Sequence, residues 1–284
     1  MSWTDFRADP EKHFNPRNAV PDFERYFERC RDRSAETATR LRIEQDIRYG
    51  KGPLQLLDHY PGSDARAPLV VYIHGGYWRG LDKGLFRFIA EPLVARGIPV
   101  VSLNYDLCPS VTVPEIILQC IDGIRFVGGD PARFGGNGHV LLTGDSAGAH
   151  LAAMAMIEDW EKHGLAVDFV DGAALLTGVY DIEPVLHVSV NADIRLTPEM
   201  VEPCSPMRHP PKRQLPLFMA VGGAEPAGWI AQTMDYAEVC RRAGCKVDVT
   251  LVPNENHFSM SLARGDAAHP LAARIIDFVT RLRR

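Results

Sequence analysis

The chain lacks several features, and each absence removes a class of function. No apolar run approaches the roughly 20 residues that cross a bilayer, and residues 1–7 (Met-Ser-Trp-Thr-Asp-Phe-Arg) hold no apolar signal core. The expectation is a cytoplasmic protein with no membrane partner. Cys30, Cys108, Cys120, Cys204, Cys240 and Cys245 form no C-x-x-C pair and have no paired histidines. They are read as reduced, mostly buried thiols, belonging neither to a disulfide framework nor to a zinc site. There is no basic face either: 31 Lys and Arg stand against 36 Asp and Glu, for a net charge of -5. The basic residues are scattered apart from a tail at 281–284, read as a solvated helix end, so nucleic acid is not an expected partner. No phosphate-binding loop and no ligand cluster occurs, which implies no organic cofactor and no metal. Repeats and low-complexity tracts are also missing. A small-molecule substrate is the partner this leaves, and the sequence is compatible with a homodimer.

What is present is a chain of 284 residues, 46% apolar and 24% charged, enough for one sizeable core. From about residue 54 onward, short apolar runs alternate with longer helical patterns. The runs at 54–59, 69–74, 98–104, 139–143, 173–177, 217–221 and 247–252 read as strands, and 85–95, 114–126, 147–157, 229–242 and 268–282 as helices. Strands such as Leu-Val-Val-Tyr-Ile are apolar throughout, as when both faces of a mostly parallel sheet are covered by helices. The class is therefore α/β. Two segments fall outside this rhythm. Residues 1–48 read as a polar arm with a helix over 22–42, packed on a domain formed by 49–284. Residues 181–214 carry Pro184, Pro198, Pro203, Pro206, Pro210 and Pro211 and read as a short lid-like insertion over the sheet edge.

One pentapeptide carries chemistry. Gly144-Asp145-Ser146-Ala147-Gly148 follows the buried run 139–143 and opens the helix over 147–157. This G-x-S-x-G pattern is a nucleophile elbow, with a serine on a strained strand-to-helix turn, and it points to the α/β-hydrolase fold. A serine hydroxyl needs a base, and the base needs an orienting carboxylate. In this fold the chain order is serine, acid, histidine, with the histidine before the last helix. Among the ten histidines His257 has that placement, while His150, one turn past Ser146, reads as a packing residue. Glu225 follows the run 217–221 at the carboxyl end of a strand, where open α/β sheets place functional groups. It is preferred as the acid over Asp248, inside the next strand, and Glu255, in the same loop as His257. The loop His74-Gly75-Gly76-Tyr77-Trp78, after an early strand, supplies oxyanion donors at Gly75 and Gly76, joined by the amide of Ala147.

These residues resemble a known family. His74-Gly75-Gly76-Tyr77-Trp78 matches the HGGxW signature of the kynurenine formamidase (arylformamidase) branch of the α/β-hydrolases. Asn104 to Pro109, the stretch from Thr177 to Pro184, Asn191 with Leu196, Ser205-Pro206, Val221 to Glu225 and His257-Phe258 are similar as well, so the likeness runs over about residues 50–280. The resemblance implies Ser146 as nucleophile, Glu225 as acid and His257 as base. Some members carry Asp rather than Glu at the acid position. It further implies hydrolysis of an aryl formamide such as N-formylkynurenine, with Tyr77, Trp78 and Phe258 either packing on the aromatic leaving group or serving as core. Other members are general esterases, so a carboxylesterase acting on short-chain or aryl esters is the alternative. A non-catalytic binding module on the same fold is a further one, although such proteins typically lose residues that this chain keeps.

Overall fold

A computed structural model of the chain describes residues 3–282. Its centre is one sheet of eight strands: β1 (Glu44–Arg48), β2 (Leu56–Tyr60), β3 (Leu69–Ile73), β4 (Val100–Leu103), β5 (Val140–Asp145), β6 (Val170–Leu176), β7 (Pro216–Gly222) and β8 (Lys246–Val252). They lie in the order β1-β2-β4-β3-β5-β6-β7-β8. β2 runs antiparallel to β1 and β4, and every pairing from β4 through β3 to β8 is parallel. Every residue of β3, β5 and β6 is buried, the consequence of helices on both faces. This is the mostly parallel α/β-hydrolase sheet expected from the sequence. β1 was not expected. Its sequence Glu-Gln-Asp-Ile-Arg is a half-exposed edge with one apolar side chain, so it lacks the alternation that marks a strand, and it lies within the stretch read as the arm.

Among the described residues, the α-helices of six residues or more are α1 (Glu24–Arg40), α2 (Val113–Gly128), α3 (Ala147–Met156), α4 (Ala227–Arg242), α5 (Ser259–Arg264) and α6 (Pro270–Thr280). α2 opens on a capping box, in which the Glu115 carboxylate accepts from both the backbone and the hydroxyl of Thr112. The helix expected over 85–95 is instead a tight 3-10 stretch (Lys83–Ala90), broken at Phe86 and running into one α-turn (Glu91–Val94). α5 is too short for its period to be read from sequence. The last helix ends at Thr280, so Arg281 lies past it, and Arg283 and Arg284 of the expected basic helix end lie outside the described residues.

The segment before the sheet is bound to the body by polar contacts. Ser34 Oγ donates to Leu85 O at 2.7 Å, Arg33 donates to Leu262 O and Gly265 O, and Phe14 is fully buried. Residues 181–214 form short turns of helix, with Val185, Ile194 and Cys204 in the core. Arg208 ties them together through Asp181, Glu183 and Glu202. Gly75, Ser146, Glu225 and His257 follow β3, β5, β7 and β8, so all four emerge at the carboxyl edge of the parallel sheet.

Candidate active site

The chain turns sharply at the end of β5. Ser146 adopts φ 57° and ψ -122°, a conformation that a non-glycine residue takes only when its surroundings impose it. Two contacts do so: Ser146 N–H donates to Leu176 O at 2.9 Å, and Ser146 O accepts from His150 N–H at 3.1 Å as α3 begins. Gly148 is needed because a Cβ there would stand 2.0 Å from Ile73 O, so β3 and α3 meet backbone to backbone. The side chain preceding the serine points the other way. Asp145 accepts from Arg264 Nη1 at 2.5 Å and from Ser261 Oγ at 2.9 Å, while Arg264 Nη2 donates to Thr143 Oγ1 at 2.8 Å. This buried ion pair sits directly beneath the turn, with the Arg264 guanidinium 5.0 Å from the Tyr72 ring centre.

Ser146, His257 and Glu225 form one hydrogen-bonded chain. Ser146 Oγ donates to His257 Nε2 at 2.9 Å, and His257 Nδ1 donates to Glu225 Oε2 at 2.7 Å. The other carboxylate oxygen of Glu225 accepts from Gly222 N–H at 2.8 Å, which fixes the carboxylate plane. The loops after β7 and β8 are laced together: Gly223 N–H donates to Val252 O at 2.8 Å and Ala224 N–H to Glu255 O at 2.9 Å. That lacing brings Glu225 to His257, which lies 32 positions later in the chain. The rival carboxylates are engaged elsewhere, Asp248 with Arg274 at 2.7 Å and Glu255 with His269 at 3.5 Å. Trp229 packs against the imidazole with ring centres 4.5 Å apart.

The loop after β3 faces this chain. A Cβ on Gly75 would lie 2.7 Å from Asp145 O and 3.2 Å from Ser146 Cβ, so only glycine lets the loop approach the serine. Gly76 has φ +122°, and Tyr77 and Trp78 also have positive φ, so the whole turn is held in an uncommon shape. Ala147 is the first residue of α3, where a backbone N–H has no acceptor within the helix. His74 fixes the base of the loop. It stacks on Tyr105 at 4.4 Å, its Nδ1 lies 2.7 Å from Gly75 O, and burial lowers its pKa.

Ser146, His257, Gly75 and Gly76 open into a cavity of about 120 Å³. A single water needs on the order of 10–15 Å³ of such space, so the cavity takes a small aromatic ring. Of the three aromatics expected to contact substrate, Tyr77 and Phe258 line it. Trp78 does not. It is fully buried behind the loop, where its Nε1 donates to His150 Nδ1 at 3.2 Å, so it is core rather than cavity wall. His150 in turn donates from Nε2 to Cys204 O at 2.7 Å, and burial pushes its pKa down to about 4. The histidine read as a packing residue is thus a neutral bridge between the glycine loop, the elbow helix and the segment 181–214.

Several wall residues were not anticipated. Asn15, Arg17 and Phe27 come from the segment preceding the sheet, and Val190 from the segment 181–214. None of them lies in a motif, and their arrival depends on how distant segments dock. Arg264 and Trp229 were missed for the same reason.

Residues 57–238 match the BD-FAE family. The kynurenine formamidase of Salmo salar is 33% identical over 231 residues, covering 78% of this chain and 77% of that protein. Esterase LipQ of Mycobacterium tuberculosis is 30% identical over 264 residues, covering 82% of this chain and 61% of that protein. A crystal structure of a protein from Silicibacter sp. tm1040 shares the fold, with a TM-score of 0.83 at 22% identity over 96% of this chain and 99% of that one. By these matches the chain belongs to the BD-FAE family and, within the α/β-hydrolases, to the serine hydrolases of the kynurenine formamidase group.

Proposed function

We propose that this protein hydrolyses an aryl formamide such as N-formylkynurenine through a formyl-Ser146 intermediate. The observation that carries the reading is the Ser146–His257–Glu225 hydrogen-bond chain, with links of 2.9 and 2.7 Å, opening into a cavity that takes an aromatic ring. In this catalytic triad, Glu225 holds the imidazole with Nδ1 protonated, leaving Nε2 free to take the Ser146 proton. The alkoxide bonds to the formyl carbon. The amides of Gly75, Gly76 and Ala147 form the oxyanion hole that receives the negative charge on the carbonyl oxygen. As the C–N bond breaks, the His257 imidazolium returns its proton to the departing arylamine. Water, deprotonated by the same imidazole, then attacks the formyl ester, releasing formate and regenerating Ser146. Tyr77 and Phe258 flank the leaving ring.

In this reading residues 1–48 are an arm walling the site, 49–284 the hydrolase domain, and 181–214 the lid-like insertion. Cytoplasmic location and a homodimer complete it. The six cysteines are all free and buried, which fits a reducing compartment.

Esterase LipQ, which aligns with 82% of this chain, favours a second reading as a carboxylesterase. An activated ester needs less protonation of its leaving group than an anilide, so the same triad would cleave it. Measuring kcat/KM on N-formylkynurenine and on p-nitrophenyl acetate separates the two. Formamide turnover at a rate comparable with or above the ester supports the first reading, and ester cleavage without detectable formate release from the formamide would sink it. Labelling of Ser146 by a fluorophosphonate probe is expected in either case; a folded protein that resists labelling would be a binding module.

A further inference from the structure

The described residues place two cations on the wall of the cavity that holds Ser146: Arg17, from the segment before the sheet, and Arg79, just past the glycine loop. They are not equivalent. Arg79 is paired with the Asp193 carboxylate. The Arg17 guanidinium meets no carboxylate among the described residues at ion-pair distance; its contact is the face of Phe23, 4.8 Å away. An aromatic face positions a guanidinium without cancelling its charge.

Arg17 is also held in place. Asn15 Oδ1 accepts from Arg17 N–H at 3.2 Å and caps the short helical turn Pro16–Ala19. Asn15 Nδ2 donates to Glu11 Oε1 at 2.7 Å, and Glu11 in turn accepts from both the backbone and the hydroxyl of Ser189, beside the cavity residue Val190. On its other side Phe23 stacks on Phe258 at 5.3 Å, next to His257. The guanidinium is therefore presented at the cavity mouth by a braced turn, one aromatic pair away from the imidazole. Burial and the charge of Arg79 lower its pKa, outweighing the opposing pull of the more distant Glu24 and Asp193 carboxylates, neither of which forms an ion pair with it.

We infer that Arg17 is a specificity-determining residue that binds a carboxylate on the leaving-group side of the substrate, so that the enzyme selects acyl-arylamines bearing that carboxylate over those lacking it. Building on the proposed formamidase reaction, this gives the amino-acid tail of the substrate a named partner. Arg17 lies at the mouth rather than at the reacting atoms, so it acts on binding and not on the chemical step.

The test compares N-formylkynurenine with N-formylkynuramine, which differs by lacking the carboxylate, on wild type, Arg17→Gln and Arg17→Lys. A charge-assisted contact predicts that Arg17→Gln raises KM for N-formylkynurenine by about 10- to 100-fold with kcat little changed. The same variant does not raise KM for N-formylkynuramine, whose tail bears an ammonium and no carboxylate, and Arg17→Lys recovers part of the loss on N-formylkynurenine. Equal losses on both substrates, or no loss on either, would overturn the assignment. If neither formamide is cleaved while p-nitrophenyl acetate is, the formamidase reading fails instead. Phenyl acetate and 4-(carboxymethyl)phenyl acetate then put the same question to Arg17, with the same deciding outcomes.

Discussion

At the scale of single residues, the proposed reaction rests on a serine in an unfavourable backbone conformation, a histidine that carries its proton and a glutamate that orients the histidine. Ser146→Ala and His257→Ala each remove a member of a unit whose parts act together. Each is expected to lower kcat by about three decades or more, with a circular dichroism spectrum like that of wild type. Glu225→Gln keeps the size of the side chain but removes the charge that favours imidazolium, and an amide NH2 turned toward Nδ1 would hold the wrong tautomer. Its expected cost is about two to four decades in kcat on the same assay. A near-native rate in any of the three would remove that residue from the mechanism.

At the scale of elements, the elbow is only as firm as the pieces beneath it. The Arg264 and Asp145 side chains are almost fully buried and joined by an ion pair, with Thr143 and Ser261 taking further hydrogen bonds. Such a pair adds little against an apolar replacement of both partners, yet removing one strands a buried charge. Arg264→Met is therefore expected to destabilise the fold by about 3–5 kcal/mol, read as a lower urea midpoint. Adding Asp145→Asn should recover a measurable part of that loss, because the two residues share one network. A single variant as stable as wild type would show that the pair does not brace α5 against the strand end.

At the scale of the whole molecule, buried imidazoles set the response to acid. His59, His74 and His150 all have lowered pKa values, chiefly because burial disfavours the charged ring, with His150 down to about 4. In the unfolded chain these rings take protons near pH 6.5, whereas in the folded protein they resist doing so. Their contribution to stability is thus complete above pH 6.5 and is lost as the pH falls toward 4, where His150 itself protonates. For His150 the loss is on the order of 3 kcal/mol. Urea midpoints at pH 7, 6, 5 and 4 should fall steadily for wild type and less steeply for His150→Gln, whose amide can still donate to Cys204 O. Parallel slopes would show that His150 does not govern the acid limb.

The sequence by itself determined seven of the eight strands, the elbow, and the short segments that hold Glu225 and His257. Continuous apolar runs identify strands buried on both faces, and the elbow and glycine loop are local backbone geometries that only certain residues tolerate. That is why Gly75, Ser146 and His257 could be named from short segments, and Glu225 from its place at a strand end. The tertiary structure alone decided what surrounds them. The role of Trp78 as core, the bridge made by His150, the brace at Arg264 and the arrival of Asn15 and Arg17 at the cavity depend on contacts between segments far apart in the chain. β1 escaped notice because an exposed edge strand bears little hydrophobic pattern, and its pairing with β2 is interrupted between Glu44 and Ile47. Periodicity and turn chemistry are local properties, whereas the walls of a site are set by packing between distant segments, which no local pattern encodes.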